Sequence, residues 1–252
     1  VAGFVLGAGL VLGTGAAWAG PPAAGALPQG GQLVSGQATT RQQGSRLDIS
    51  QTSQRAAINW LSFDIGSQAQ VQIQQPNAQS VLLNRVTGAD PSAIYGRLDA
   101  NGQVLLVNPN GIVFGRGSRV DVGGLVASTL DIADADFAAG RLKFSRGTAT
   151  GSVVNQGTIN AANGGYVALL APEVLNEGVV SARLGTVALA AGDAVTLDVA
   201  GSELLGVKVD PATVAALVEN RQLVQAEGGR VILSVGAAQR LREQAVAGSA
   251  GA

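Results

Sequence analysis

The chain of 252 residues carries 16 basic and 17 acidic side chains, and a net charge of −1 favours neither nucleic acid nor an anionic membrane surface. It contains no Cys and no His, which removes disulfides, thiol chemistry, the Ser-His-Asp triad and the commonest zinc ligand together. Its 36 Gly, set among short Val-, Ala- and Leu-rich runs, favour an all-β fold with many turns.

Residues 1–19 are apolar, small and uncharged, and end in Ala17-Trp18-Ala19, the small-x-small pattern of a signal-peptidase site. No Met is present and the basic n-region is missing, so this stretch is expected to be the remnant of an export signal, with secreted material beginning near Gly20. The rival reading, a membrane span, has against it five Gly and no basic stop-transfer flank. Residues 20–32, rich in Gly and Pro, are expected to be a flexible leader, and residues 33–252 one domain that continues beyond the helix-prone tail "AAQRLREQAVAGSAGA".

Strands are expected at 46–50, 56–65 and 69–75. Within the last, "VQIQ" alternates, which predicts one solvated face and an edge able to accept a partner's strand. From Ser80 onward the character changes to Val/Leu runs punctuated by Gly and Asn. "VLLVNPNGIVFG" places two continuous apolar runs, Val104–Val107 and Ile112–Phe114, around Asn108-Pro109-Asn110-Gly111. Continuous runs suit strands covered on both faces, and Pro109 with Asn110-Gly111 suits a tight turn, so the tetrapeptide is expected to be a hairpin or a corner between two walls. "DIADADF", with Asp131, Asp134 and Asp136, lacks the Gly and Glu of a calcium loop and is expected to be solvated.

A repeat emerges in the second half. "NQGTINA" from Asn155, "NEGVVSA" from Asn176 and "NRQLVQA" from Asn220 each precede a Gly-led apolar strand, at Tyr166–Leu169, Thr186–Leu189 and Arg230–Leu233. The first two copies are 21 residues apart and the third lies 44 beyond, about two periods with an insertion, which Asp210 and Pro211 mark as a short helix, "DPATVAALVEN". A period near 20 with Gly/Asn corners is the signature of a parallel β-solenoid whose coils stack about 4.8 Å apart. Val167, Val187 and Val231 are then expected on one inward wall, with Leu169, Leu189 and Leu233 beside them, and the three Asn at equivalent corners.

"INWLSFDIG", "QPNAQSVLLNRVTG", "NPNGIVFG" and "GGYVALLAPEVLNEG" in this order resemble the N-terminal two-partner secretion domain of the filamentous-haemagglutinin family. The resemblance implies a right-handed parallel β-helix with an N-terminal cap and extra-helical β elements. It implies no catalysis, no cofactor and no metal. Its partner would be an outer-membrane β-barrel transporter whose periplasmic POTRA domains recognise the domain and direct export of a large adhesin-like chain, leaving the product on the cell surface or secreted from a Gram-negative bacterium. The secretion motif of that family matches Asn108, Pro109, Asn110, Gly111 and Ile112. A second motif region would fall on Gln75, Pro76, Asn77, Asn84 and Arg85, where Gln75-Pro76-Asn77-Ala78 departs from the NPNL of some members. The alternatives are an adhesive module that itself binds a glycan or host-cell receptor, and a carbohydrate-active β-helix enzyme. With 2 Trp, 2 Tyr and 5 Phe, the chain has few rings for sugar stacking, and no convincing carboxylate pair for hydrolysis.

Overall fold

The structure, a computed structural model, describes residues 20–198, 205–210 and 216–236. Three sheets form the walls of a parallel β-helix. The first wall runs Gln32–Ser35, Arg55–Trp60, Val81–Val86, Gln103–Val107, Gly124–Ser128, Tyr166–Ala171, Thr186–Ala191 and Arg230–Val235. The second wall begins with Ala38–Gln43 and Arg46–Gln51 and ends with Val224–Gln225. The third is shorter: Ser92–Ile94, Ile112–Phe114, Val153–Asn155, Glu173–Asn176 and Leu217–Asn220. Pairing is parallel throughout the walls except where Gln32–Ser35 and Ala38–Gln43 lie antiparallel on their neighbours and cap the N-terminal end.

From Ser92 onward each coil runs through the third wall, the second wall and the first wall, then back. Two excursions leave after the first wall and build a four-stranded antiparallel sheet outside the helix, from Asp131–Ile132, Leu142–Ser145, Ala194–Asp198 and Gly206–Asp210. This sheet explains the continuous apolar runs. Val104 and Leu106 point into the helix core, whereas Leu105 and Val107 belong to a second core beneath the extra sheet, with Phe137, Phe144 and Val195. Side chains alternate between faces in every strand, so a wall covered on both sides needs apolar residues at every position.

The expected register holds. Val167, Val187 and Val231 are in register, as are Leu169, Leu189 and Leu233. In the last described coil Val231 and Leu233 keep that register with 45% and 55% exposure. The three corner asparagines form a ladder: Asn155 Nδ2 donates to Asn176 Oδ1 at 2.8 Å and Asn176 Nδ2 to Asn220 Oδ1 at 2.7 Å. Each of the first two also accepts a backbone N–H of its own corner, Gly157 at 3.1 Å and Gly178 at 3.4 Å. Groups that a turn would leave unpaired are thereby satisfied inside a dry stack. At the facing corner Gly185 is required by space, since a Cβ there would stand 1.9 Å from the Gly165 carbonyl oxygen of the preceding coil.

Four expectations are corrected. The stretch 20–32 is docked rather than flexible: Leu27 is buried, Gly66 N donates to Ala26 O at 2.9 Å and Leu61 N to Gln29 O at 2.9 Å. Its composition hid the buried pair Leu27-Pro28 and backbone partners some 30–40 residues away. The insertion before the third repeat shows no helix over its described ends. Gly206–Asp210 is a strand antiparallel to Ala194–Asp198, Leu217–Asn220 joins the third wall, and residues 211–215 lie outside the described residues. Val207 and Val209 pack against the second core, which fixes the strand before Asp210. "VQIQ" has the alternating burial expected, but its strand Gln70–Gln74 is paired on both sides and offers no edge. "DIADADF" is not merely solvated, because it holds a short strand and the helix Asp134–Ala138, with Phe137 buried in the second core. The expected export signal at 1–19 and the tail from 237 lie outside the described residues.

Candidate functional site

Asn108–Gly111 is the corner that carries the chain from the first wall, at Val107, to the third, at Ile112. Gly111 N donates to Asn108 O at 3.1 Å, closing a β-turn with Pro109 and Asn110 at its centre. Asn110 keeps a negative φ, and only Gly111 takes a positive one, at 127°. That is the pattern of a type I turn, with Asn favoured first, Pro second and Gly fourth.

Asn108 is fully buried. Its Nδ2 donates to Asp90 O and to Ser92 Oγ, both at 3.0 Å, while its Oδ1 accepts Asn110 N at 3.0 Å. Asn110 Nδ2 donates to Gly88 O at 2.9 Å. The side chains therefore stitch the corner to the loop of the preceding coil. Above it, Asn108 N donates to Ser128 O at 3.0 Å, Ile112 N to Ser152 O at 3.0 Å and Gly151 N to Pro109 O at 3.1 Å. Ile112 is fully buried in the helix core. The excursion that leaves after Ser128 returns at Gly151-Ser152 directly onto the turn, so the motif is covered on both sides by chain that is distant in sequence.

The second motif region divides. Asn84 and Arg85 stand in register with Leu106 and Val107, on the same edge of the first wall as the turn. Asn84 is buried, with Oδ1 accepting Trp60 Nε1 at 3.0 Å. Arg85 reaches Asp131 at 3.0 Å and Asp134 at 2.7 Å, tying the extra sheet to the wall. Gln75, Pro76 and Asn77 occupy the opposite edge. Gln75 is buried and donates through Nε2 to Gln51 Oε1 and to the carbonyls of Ser80 and Gln103. Pro76 is exposed, and Asn77 is exposed and bonded to Gln54.

Sequence reasoning missed Asp64. Its carboxylate accepts Ala93 N at 2.8 Å, next to the loop that the turn grips. Burial raises its pKa, the Ala93 N–H opposes that, and nearby Asp90 adds to the rise. The folded state thus holds the Asp64 proton more tightly than the unfolded chain does. The carboxylate weakens the fold at pH 7, and the penalty fades as pH falls through the raised value towards 3.8. Asp64→Asn keeps an acceptor for Ala93 and carries no charge. It should melt above the parent at pH 7, with the gap closing by pH 4. An unchanged gap at both pH values would show that Asp64 is not penalised by burial. No local signal marks this residue, because its partners are 26 and 29 residues away.

The model of the TPS secretion domain matches residues 24–250. A heme/hemopexin-binding protein of Haemophilus influenzae is 36% identical over 226 residues, covering 86% of this chain and 24% of that protein. A second heme/hemopexin-binding protein of Haemophilus influenzae is 38% identical over 149 residues, 59% of this chain and 16% of that one. The chain thus spans about a quarter or less of the length of these curated relatives. The crystal structure of the HMW1 secretion domain from Haemophilus influenzae superposes with a TM-score of 0.72 at 32% identity, covering 82% of this chain and 57% of that one. On the match of residues 24–250 to the family model and on the β-helix shared with a solved secretion domain, this chain belongs to the TPS secretion domain family.

Proposed function

We propose that this domain is the export address of a longer exoprotein, and that the periplasmic POTRA domains of an outer-membrane transporter read the segment around Asn108–Ile112 before the domain has folded. The observation that carries this reading is burial. Asn108 and Ile112 have no accessible surface, and the Asn108 amide is occupied by Asp90, Ser92 and Asn110. A partner that contacts these side chains must meet them while the chain is extended. Closure of the corner then requires Ser128 and Gly151-Ser152, which follow the motif in the chain, so recognition and folding compete for one segment. Arg85, partly exposed beside the turn, would join the same recognition surface. Residues 1–19 would serve as the signal that brings the chain to the periplasm, and the Gln75–Asn77 edge as a structural corner.

The action on heme or hemopexin stated in the relatives' names would belong to other parts of such a protein. Iron in haem is held by His, Cys, Met or Tyr. Here His, Cys and Met are absent, and Tyr166, one of two tyrosines, is buried with its phenol pushed well above the usual range by burial. An adhesive role for this domain itself is less well supported, since no aromatic platform lines its surface among the described large exposed apolar residues, which are all Leu or Val.

The test compares two forms of residues 20–252, natively folded and freshly diluted from urea, for binding to purified POTRA domains of the cognate transporter. The diluted form should bind at least tenfold more tightly, and Asn108→Ala should weaken its binding. Equal binding by the folded domain would overturn recognition before folding.

A further inference from the structure

A cleft of about 560 Å³ lies between the outer face of the first wall and the extra-helical sheet. It takes no part in the corner described above. Its floor is set by the starts of three first-wall strands, at Arg55, Val81 and Gln103, and its roof by Leu142, Lys143 and Leu197. Arg55 is the unusual member. It is partly buried, its guanidinium carbon sits 5.7 Å from the centre of the Phe137 ring, and its Nη1 is buried with no hydrogen-bond partner among the described residues. A shielded guanidinium N–H without an acceptor is rare, because it loses water and gains nothing in return. The space beside it is kept by Gly140, at φ 77°, where a Cβ would stand 2.9 Å from Arg55 Nη2.

Charge on the lining is unbalanced. Arg141 and exposed Lys143 add to Arg55, against Asp198, which is itself engaged. Arg141 is bonded to Asp136 at 2.8 Å, leaving Arg55 and Lys143 as the lining cations without a carboxylate partner among the described residues. The rest of the lining sets the aliphatic Val81, Leu142 and Leu197 among the neutral polar Gln79, Gln103 and Thr196. We infer that the cleft binds a small amphipathic carboxylate, an anionic head on an aliphatic body, with the head on Arg55 and Lys143 and the body between the wall and the extra sheet. Guanidinium and carboxylate match in geometry and charge, so Arg55 is the lining group suited to hold the head. Because the cleft joins two sheets, a bound ligand would clamp the excursion strands to the helix and raise the melting temperature by mass action.

The test titrates residues 20–252 with decanoate below its micelle concentration, by calorimetry and by thermal melting. Decanol keeps the body without the charge, decyltrimethylammonium reverses the charge, and acetate keeps the head alone. Decanoate should bind saturably at one site and raise Tm, and each of the three controls should bind at least tenfold more weakly. Arg55→Gln should cost tenfold or more in affinity and Lys143→Gln a few-fold, while Arg183→Gln, an exposed cation outside the cleft, should leave it unchanged. Lys143→Gln alters an exposed side chain and decides the matter if Arg55→Gln folds poorly. Failure of decanoate to bind, equal binding of decanol, or binding indifferent to Lys143→Gln would overturn the site. None of these outcomes bears on recognition by the transporter.

Discussion

Val187→Asp should lower the stability of the domain by about 3–5 kcal/mol and remove protection from the coils around it. Val187 is fully buried in the helix core, in register with Val167 on one side and Val231 on the other. The neighbouring inward side chains, Leu169, Leu189 and Val180, bring neither a cation nor a donor. A carboxylate placed there must either stay charged without water or take up a proton against its ordinary pKa, and both are costly. Domains of this kind have total stabilities of only about 5–15 kcal/mol. The loss should be local at first, because a solenoid is held by nearest-neighbour contacts. Hydrogen exchange should therefore accelerate in Tyr166–Ala171, Thr186–Ala191 and Arg230–Val235, while Val81–Val86 and Gln103–Val107 remain slow. The control Val187→Ala should cost far less, as it removes volume without adding charge. A Val187→Asp domain that melts with the parent would show that this register is wrong.

That prediction could be framed from the sequence because like stacks on like in this fold. The Asn155, Asn176 and Asn220 ladder was visible as a repeat of 21 and 44 residues, and the two-sided walls were visible in runs such as Val104–Val107 that do not alternate. What failed did so for a common physical reason. Arg85 finds its carboxylates 46 and 49 residues away, in a stretch that alone looks like a solvated acidic loop. Leu27, buried with Pro28, anchors a breaker-rich leader. Each outcome was decided by a partner outside the helical repeat, and a period cannot report on partners that do not share it. The same holds at the candidate site: turn chemistry made Asn108–Gly111 legible as a corner, but its covering by Ser128 and Gly151-Ser152 is a property of the excursion.

Asn108→Ala should destabilise the domain by about 2–4 kcal/mol, more than an ordinary turn residue, because burial leaves its partners without water. Removal of the amide strands the Asp90 carbonyl, and it takes away the acceptor that orients Asn110 N. Asn110→Ala should cost only about 1 kcal/mol, since Asn110 is partly exposed and water can replace it at the Gly88 carbonyl. These unequal costs separate the two roles of the motif. If the corner matters only for folding, secreted yield should follow stability, so Asn108→Ala should export poorly and Asn110→Ala almost normally. If the transporter reads the extended segment, Asn110→Ala should lose export out of proportion to its small loss in Tm. A second-site change that restores the Tm of Asn108→Ala, such as Asp64→Asn, should then fail to restore its export. Melting and secreted yield are measured on the same variants in a strain with the cognate transporter. Normal export of a folded Asn108→Ala, Asn110→Ala double variant would remove the motif from recognition. It would leave the corner with its structural work alone: holding the loop at Gly88–Ser92 beneath the returning excursion.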